Sequence, residues 1–267
     1  MSLSDDFDPV PAPTPPKGRD LLKGKVVVIT AAAGTGIGMA TAQRFLAEGA
    51  EVVISDAHER RLEETRLALS EASTRELMAI RCDVTVEDDV LHLYSETLAA
   101  HGRLDVAVNN AGLGGTATLV EMTDEQWLKV LDVTLNGTFR CTRAAMRIMT
   151  EQRSGVIINN SSVLGWRAQP GQAHYAAAKA GVMALTRSAA AEGAPFGIRV
   201  NAIAPSLAEH PFLNRVISDD DLAILRGREL LHRGAEVWEV AAVVAFLASD
   251  YSSYLSGEII SVSSQHP

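Results

Sequence analysis

The chain has 267 residues, enough for one large domain with a substantial core or for two small ones. Apolar residues make up 47% and charged residues 21%, a composition typical of a folded globular protein. The net charge of −9 at pH 7, without a basic cluster, argues against binding to a nucleic-acid backbone.

The first residues carry neither the basic flank nor the apolar core of a signal peptide, and no apolar run is long enough to cross a membrane. Residues 8–18 are rich in proline, so we predict a disordered tail over 1–20 and one domain over 21–267. A partner-binding arm is the alternative for the tail. Cys82 and Cys141 lack metal-ligand or redox spacing and are expected to be reduced and buried. We therefore expect a cytoplasmic protein with no metal site.

Short β-branched runs alternate with longer helical patterns along the domain. The runs at 25–30, 51–55, 77–81, 104–108, 156–160, 198–203 and 258–262 predict seven buried strands. Helices are predicted at 39–48, 58–73, 86–101, 124–151, 174–194 and 236–249. This alternation indicates an α/β, single-domain Rossmann fold, a seven-stranded parallel sheet with helices on both faces. The irregular segment 206–233 is predicted to be a lid over a site.

A glycine-bearing turn joins the first predicted strand to the first predicted helix. Gly34, Gly36 and Gly38 lie in this turn, where they would let backbone N–H groups approach a pyrophosphate at the helix N-terminus. Asp56 ends the second strand, where a carboxylate binds a ribose 2′-hydroxyl and repels a 2′-phosphate. The pattern predicts a dinucleotide site that favours NAD over NADP, with an ordinary tight turn as the alternative. Three basic residues nearby would weaken that preference: His58, Arg60 and Arg61.

Tyr175 and Lys179 lie four residues apart in a run of alanines, and hence on one face of a predicted helix. A fixed ammonium near a phenol lowers the pKa of that phenol, which would suit Tyr175 to exchange a proton with an alcohol or ketone. A solvated tyrosine beside a solvated lysine is the alternative, because this spacing occurs by chance on many helices.

The chain resembles the short-chain dehydrogenase/reductase family, nearest its 3-oxoacyl carrier-protein reductase-like branch. The resemblance rests on the glycine turn, the acidic residue after the second strand and the Tyr–Lys pair, which occur together and in this order. The resemblance extends from residue 22 to residue 262. Asp83 and Val84 follow the third strand, Asn-Asn-Ala-Gly occupies 109–112, and Ser162 lies thirteen residues before Tyr175, as in the family.

This resemblance implies an NAD(P)-dependent oxidoreductase that interconverts a secondary alcohol and a ketone by hydride transfer. Tyr175 would transfer the proton, Lys179 would lower the tyrosine pKa and hold the nicotinamide ribose, and Ser162 would orient the substrate oxygen. Ser161 is the competing serine, and the spacing favours Ser162. The implied cofactor-binding residues are Thr30, Gly34, Gly36, Ile37, Gly38, Asp56, Asp83, Val84, Asn110, Ala111, Gly112, Tyr175, Lys179, Pro205 and Ser206.

Three positions depart from the family pattern. The first turn has Ala31 where the family has glycine, and one additional residue. Thr134 stands where the family has an asparagine that anchors a proton-relay water, and Asn136 is predicted to point to another side of the helix. The proline after the sixth strand is followed by Ser206 in place of glycine, and the family's next threonine has no clear match.

Substrate contacts are expected from 114–118, 164–172 and the predicted lid, with ordinary loop packing as the alternative. The candidate substrate-binding residues are Ser162, Leu164, Gln172 and Tyr175. An apolar wall is predicted from Leu164, Trp166, Phe212 and Leu213, and a polar rim from Arg167, Gln169, His210, Arg215, Arg226 and Arg228. Such a pocket suits a bulky hydroxy- or oxo-acyl thioester or a steroid-derived catabolic intermediate.

Two other functions stay open. One is 3-oxoacyl carrier-protein reduction in fatty-acid synthesis, which usually takes NADP; the other is a non-catalytic dinucleotide-binding sensor or scaffold, since a fold alone does not imply activity. The resemblance also implies a homotetramer, or a homodimer, with the helices at about 124–151 and 174–194 at one interface. We expect a small-molecule substrate, and neither nucleic acid nor a membrane as partner.

Overall fold

Seven strands form one parallel sheet in a computed structural model, which describes residues 9–73, 77–211 and 218–264. They are β1 Val26–Ile29, β2 Glu51–Asp56, β3 Met78–Arg81, β4 Val106–Asn109, β5 Gly155–Asn160, β6 Ile198–Pro205 and β9 Ile259–Val262. Their order across the sheet is β3-β2-β1-β4-β5-β6-β9. Two short strands, β7 Ala208–Glu209 and β8 Ala235–Glu236, form a separate parallel pair. The predicted single-domain α/β fold with a seven-stranded parallel sheet is confirmed.

The α-helices of the described residues are α1 Ile37–Ala47, α2 Glu59–Ser73, α3 Glu87–His101, α4 Asp124–Leu131, α5 Gly137–Gln152, α6 Ala173–Gly193, α7 Asp219–Gly227 and α8 Val237–Ala248. The helix predicted over 124–151 differs, because a π-helical turn, Asp132–Asn136, separates α4 from α5. The segment predicted to be irregular contains α7, whose start has the capping residue Ser218 followed by three aspartates. None of these helices is long and apolar enough to cross a membrane.

Two apolar cores cover the two faces of the sheet. Val27 and Ile29 of β1 belong to one core and Val28 to the other, because successive side chains of a strand point to opposite faces. Phe45 of α1 and Val244 of α8 pack into the first core, and side chains of α3, α5 and α6 pack into the second. Burial on both faces explains why the strands have continuous apolar runs.

The order of the strands also locates the site. From β1 the chain proceeds outwards to β3 and then returns to β4, on the other side of β1. In open α/β sheets, ligands bind beyond the carboxyl ends of the strands at such a reversal. The carboxyl ends of β1, β4 and β5 therefore form the expected floor of a ligand site.

Residues 9–20 belong to the segment predicted to be a disordered tail, and some of them contact the domain. The Val10 N–H donates to the carbonyl of Leu231 (3.1 Å), and the Arg233 side chain donates to the Val10 carbonyl (2.6 Å). Arg44 donates to the carbonyl of Pro16 (2.7 Å). These hydrogen bonds place the described part of the proline-rich segment against the domain. Residues 1–8 lie outside the described part of the chain.

A buried carboxylate connects this segment to α1. The Glu48 side chain is fully buried and accepts hydrogen bonds from the backbone N–H groups of Arg19 (2.7 Å) and Leu21 (3.1 Å). It also pairs with the guanidinium group of Arg44. Burial by itself raises the pKa of Glu48, but these partners outweigh burial and hold the pKa below its usual range.

We expect Glu48→Gln to lower the free energy of unfolding by roughly 2 kcal/mol, because the partly buried guanidinium of Arg44 loses its charged partner. Since the folded-state pKa of Glu48 is depressed, its contribution is present above about pH 4.5 and is lost as the pH falls through the folded-state pKa. Urea unfolding of both proteins at pH 7, 5, 4 and 3 measures the difference. A difference that stays constant down to pH 3 would contradict this assignment.

Candidate active site

The turn between β1 and α1 forms an open cradle at the carboxyl end of the sheet. No atom lies within 4 Å of a Cβ built on Gly34 or Gly36, whereas a Cβ on Gly38 would lie 2.4 Å from the Ala31 carbonyl oxygen. Ala31 has a φ angle of 50°, a left-handed conformation that costs a non-glycine residue roughly 1–2 kcal/mol. The turn therefore keeps backbone accessible at the start of α1, which fits the pyrophosphate of a dinucleotide.

Asp56 ends β2, as predicted, and is buried. Its carboxylate accepts a hydrogen bond from the N–H of His58 (2.9 Å) and lies 3.5 Å from the guanidinium group of Arg61. The carboxylate is thus fixed in orientation at the position where a ribose hydroxyl would bind. Of the three basic residues that we expected to weaken an NAD preference, Arg61 has its side chain in contact with this carboxylate.

Further residues of the predicted cofactor site form the turn after β3 and the loop after β4. The Asp83 carboxylate accepts hydrogen bonds from the N–H (2.9 Å) and hydroxyl (2.7 Å) of Thr85, so this side chain stabilises its own turn. Val84 and Ala111 are nearly buried, and the Ala111 N–H donates to the Thr30 hydroxyl (3.2 Å). Their role in binding a cofactor stays a prediction.

A series of hydrogen bonds crosses the sheet from the glycine turn to α6. The Asn110 N–H donates to the hydroxyl of Thr30 (3.0 Å), and the Asn160 side-chain amide donates to the Asn110 side-chain oxygen (2.9 Å). The Lys179 ammonium then donates to the Asn160 carbonyl (2.5 Å). Asn160 was not among the residues predicted from the sequence. Its signal was a polar residue between the apolar run of β5 and the two serines that follow.

Ser162 and Tyr175 are brought together, close enough for the Ser162 hydroxyl to lower the pKa of the Tyr175 phenol. The Ser162 hydroxyl also accepts from the Leu164 N–H (3.2 Å) and lies 3.5 Å from the Pro205 carbonyl. The neighbouring Ser161 points elsewhere: its hydroxyl donates to a backbone carbonyl of α6 (2.9 Å). This geometry agrees with the spacing argument that favoured Ser162.

Lys179 is 2% exposed, and its ammonium nitrogen lies 5.5 Å from the centroid of the Tyr175 ring. Burial lowers the pKa of Lys179 to about 7. Burial raises the pKa of Tyr175, and the nearby Ser162 hydroxyl lowers it by a smaller amount. Burial therefore dominates the pKa of Tyr175, and the expected lowering of that pKa by Lys179 stays a prediction.

A cavity of about 720 Å³ opens above these side chains. Cavities of this size accommodate drug-sized ligands. Of the predicted substrate-binding residues, Ser162, Gln172 and Tyr175 line it, whereas Leu164 does not. The described residues that line the cavity are Ile37, Asn110, Gly112, Leu113, Gly114, Gly115, Thr116, Asn160, Ser161, Ser162, Gln172, Tyr175, Lys179, Pro205, Ser206, Leu207, Ala208 and His210.

The predicted walls are only partly where we expected them. Trp166 is 50% exposed and does not line the cavity, whereas His210 of the predicted rim does. Arg226 instead forms an ion pair with Glu209 that connects α7 to β7. Among the other rim candidates, Arg167, Gln169 and Arg228 are not lining residues. Phe212, Leu213 and Arg215 lie outside the described residues.

Thr134 has a defined role in the π-helical turn. It is fully buried, and its hydroxyl both donates to the carbonyl (3.1 Å) and accepts from the N–H (3.0 Å) of Leu113. This holds the backbone beside Gly112, where a Cβ would lie 3.3 Å from the ammonium nitrogen of Lys179. Asn136 is exposed and donates to Asp132, so it does not replace the family asparagine, as predicted.

The burial of Lys179 has a measurable effect on stability. The penalty for burying its charge is fully present below the folded-state pKa of about 7 and disappears as the pH rises to the reference value of 10.5. We therefore expect the free energy of unfolding to rise between pH 7 and 10. Lys179→Met should abolish the part of this rise that comes from Lys179. Chemical unfolding of both proteins at intervals of one pH unit measures it. Parallel stability curves for the two proteins would contradict it.

Residues 31–264 match the family model described as enoyl-(acyl carrier protein) reductase. A protein of Mycobacterium tuberculosis, the (5R,7aS)-5-hydroxy-7a-methyl-1-oxo-2,3,5,6,7,7a-hexahydro-1H-indene-carboxyl-CoA reductase, is 59% identical over 257 residues, which are 96% of this chain and 98% of the relative. A 3-oxoacyl-(acyl-carrier-protein) reductase of Thermotoga maritima is 40% identical over 90% of this chain and 97% of the relative. The crystal structure of a short chain dehydrogenase from Mycobacterium smegmatis, 55% identical, superimposes with a TM-score of 0.86 and covers 96% of this chain and 99% of that one.

Proposed function

The chain belongs to the short-chain dehydrogenase/reductase family and is an oxidoreductase, and we propose that it interconverts a secondary alcohol and a ketone on a bulky ring system that carries an acyl thioester. The observation that carries this proposal is the cluster of Ser162, Tyr175 and the buried Lys179 at the floor of a cavity of about 720 Å³. The non-catalytic sensor or scaffold is not retained.

Each of the three residues has a separate task in the proposed reaction. Burial raises the pKa of Tyr175, so its hydroxyl is protonated near neutral pH and is ready to give a proton to a ketone oxygen. Ser162 donates a hydrogen bond to the same oxygen as negative charge develops on it. Lys179 is fixed by Asn160 and borders Gly112, where the ribose of a nicotinamide would be held.

The glycine cradle, Asp56 and the loop after β4 would hold NAD, which supplies or accepts the hydride at its nicotinamide ring. The fixed carboxylate of Asp56 supports NAD over NADP, because a 2′-phosphate would meet its negative charge. The proton is the protein's part of the reaction and passes through Tyr175.

The proposed substrate class rests on the relative from Mycobacterium tuberculosis, whose name describes a hydroxylated two-ring compound joined to coenzyme A. The mixed apolar and polar lining of the cavity, with Leu113, Leu207 and His210, supports a ring system with polar substituents. Reduction of a 3-oxoacyl carrier protein is the second candidate, which the relative from Thermotoga maritima favours.

We also propose a cytoplasmic homotetramer, or a homodimer. The faces of α5 and α6 that the sequence analysis assigned to an interface line a groove of about 690 Å³. Phe139, which lies in this groove, is 43% exposed. Exposed apolar side chains in a groove of this kind support association with a second copy.

Cofactor choice and substrate class can be tested together. We expect the protein to oxidise decahydro-2-naphthol, a fused-ring secondary alcohol, with a kcat/KM for NAD at least about tenfold above that for NADP. Asp56→Ser should reduce this ratio at least about tenfold, because the variant loses one charged hydrogen bond to the ribose and the repulsion of the phosphate. Absorbance of the reduced nicotinamide follows both reactions. A preference for NADP, or faster reduction of acetoacetyl-CoA with NADPH, would favour the second candidate.

The role of Tyr175 has its own test. We expect Tyr175→Phe to lower kcat by at least about 100-fold, because the proton donor is lost, while the Kd for NADH changes less than about threefold. Tyr251→Phe is the matched control, since Tyr251 is 78% exposed beyond α8 and should leave turnover unchanged. Fluorescence titration with NADH and steady-state assays measure the two quantities. Retained turnover in Tyr175→Phe would overturn the assigned role.

A further inference from the structure

The loop 112–116 forms a side-chain-poor wall of the cavity, and it packs against the first turns of α6. A Cβ built on Gly114 would lie 3.9 Å from the Tyr175 ring. A Cβ built on Gly115 would lie 3.2 Å from Nε2 and 3.9 Å from Cε1 of His174. The wall therefore lies along the face of α6 that carries Tyr175, and the imidazole of His174 packs against the side of the wall that faces away from the cavity.

This wall is anchored on both sides of its two central glycines. On one side, the backbone of Leu113 is held by the π-helical turn through both of its polar groups. On the other side, the Ala117 N–H donates to the Gly171 carbonyl (3.1 Å), and the Gln172 side-chain amide donates to the Thr116 hydroxyl (3.3 Å). Because these bonds hold both ends of the loop, an added methyl group would be accommodated by a shift of the two central glycines and not of the whole loop.

The side chain of His174 determines how far the wall lies from α6. It is 2% exposed, and its Nδ1 is buried without a hydrogen-bond partner in the described part of the chain. Because the imidazole is almost completely buried in a close-packed interior, it has little room to move away from an added methyl group. A side chain at position 115 would therefore displace the loop away from His174, which is towards the cavity that Gly115 lines.

We propose that Gly115 and His174 form a specificity-determining pair: the imidazole sets the position of the wall, and the glycine keeps that wall thin enough for a fused-ring alcohol beside Tyr175. The inference rests on the proposed function and identifies the residues that determine the width of the substrate site. A single ring or a linear chain needs less width, so the pair should affect two-ring substrates selectively. The substrate class that follows is a bicyclic secondary alcohol or its ketone.

Binding measurements test the proposal without requiring turnover. The Kd values of decahydro-2-naphthol and cyclohexanol are measured by ligand-observed NMR titration of the full chain with NADH present. We expect the wild-type protein to bind the bicyclic alcohol at least about tenfold more tightly, because the second ring buries additional CH₂ groups. Gly115→Ala should weaken binding of the bicyclic alcohol about tenfold and that of cyclohexanol less than twofold.

The double variant Gly115→Ala/His174→Asn is the rescue. Asparagine lacks the ring atoms that meet the new methyl group, so bicyclic binding should recover to within about threefold of wild type. Four results would each overturn the proposal. The first two are an equal loss of affinity for both alcohols in Gly115→Ala and no loss of affinity in that variant. The others are no recovery of binding in a double variant with an unchanged melting temperature, and a wild-type protein that does not bind the bicyclic alcohol more tightly. If the double variant does not fold, the comparison of the two alcohols in Gly115→Ala decides alone. Selective binding without hydride transfer would contradict only the proposed reaction.

Discussion

The hydrogen bond from Lys179 to the carbonyl of Asn160 is the interaction on which the site depends. An ammonium that is 2% exposed is costly to bury, and a backbone carbonyl at the end of a central strand is a partner that cannot rotate away. Asn160 is bonded in turn to Asn110, and Asn110 to Thr30. Because β5, β4 and β1 are adjacent in the sheet, one series of hydrogen bonds joins the glycine turn to the helix that carries Tyr175.

A second buried series lies one residue earlier on the same strands and makes this platform rigid. Asn109 donates to Asn159 (2.8 Å) and to Thr142 of α5 (3.0 Å), and Asn159 donates to Thr186 of α6 (2.9 Å). Buried polar networks of this kind specify one arrangement, since each lost partner leaves an unpaired group. The register of β4 against β5, which places Asn109 opposite Asn159, thus fixes α6 as well as the sheet.

The sheet and the grouping of Ser162, Tyr175 and Lys179 could be predicted from the sequence, because local patterns determine them. Apolar runs marked the strands, and the spacings Tyr175–Lys179 and Ser162–Tyr175 are short. Features that depend on distant parts of the chain could not be predicted. The hydroxyl of Thr134 is bonded to a loop residue 21 positions away, and Arg226 faces Glu209 instead of the cavity. The burial that raises the pKa of Tyr175 could not be predicted for the same reason, because spacing reveals a neighbouring charge but not burial.

We propose that Tyr175, beside the buried Lys179, transfers a proton while hydride passes between a secondary alcohol and NAD. The most direct measurement uses decahydro-2-naphthol deuterated at the carbinol carbon, with NAD and the wild-type protein, and locates the label by NMR. The account predicts deuterium at C4 of the nicotinamide in the reduced cofactor, with one label transferred per ketone formed. Label released into water, or a ketone formed without labelled NADH, would contradict it.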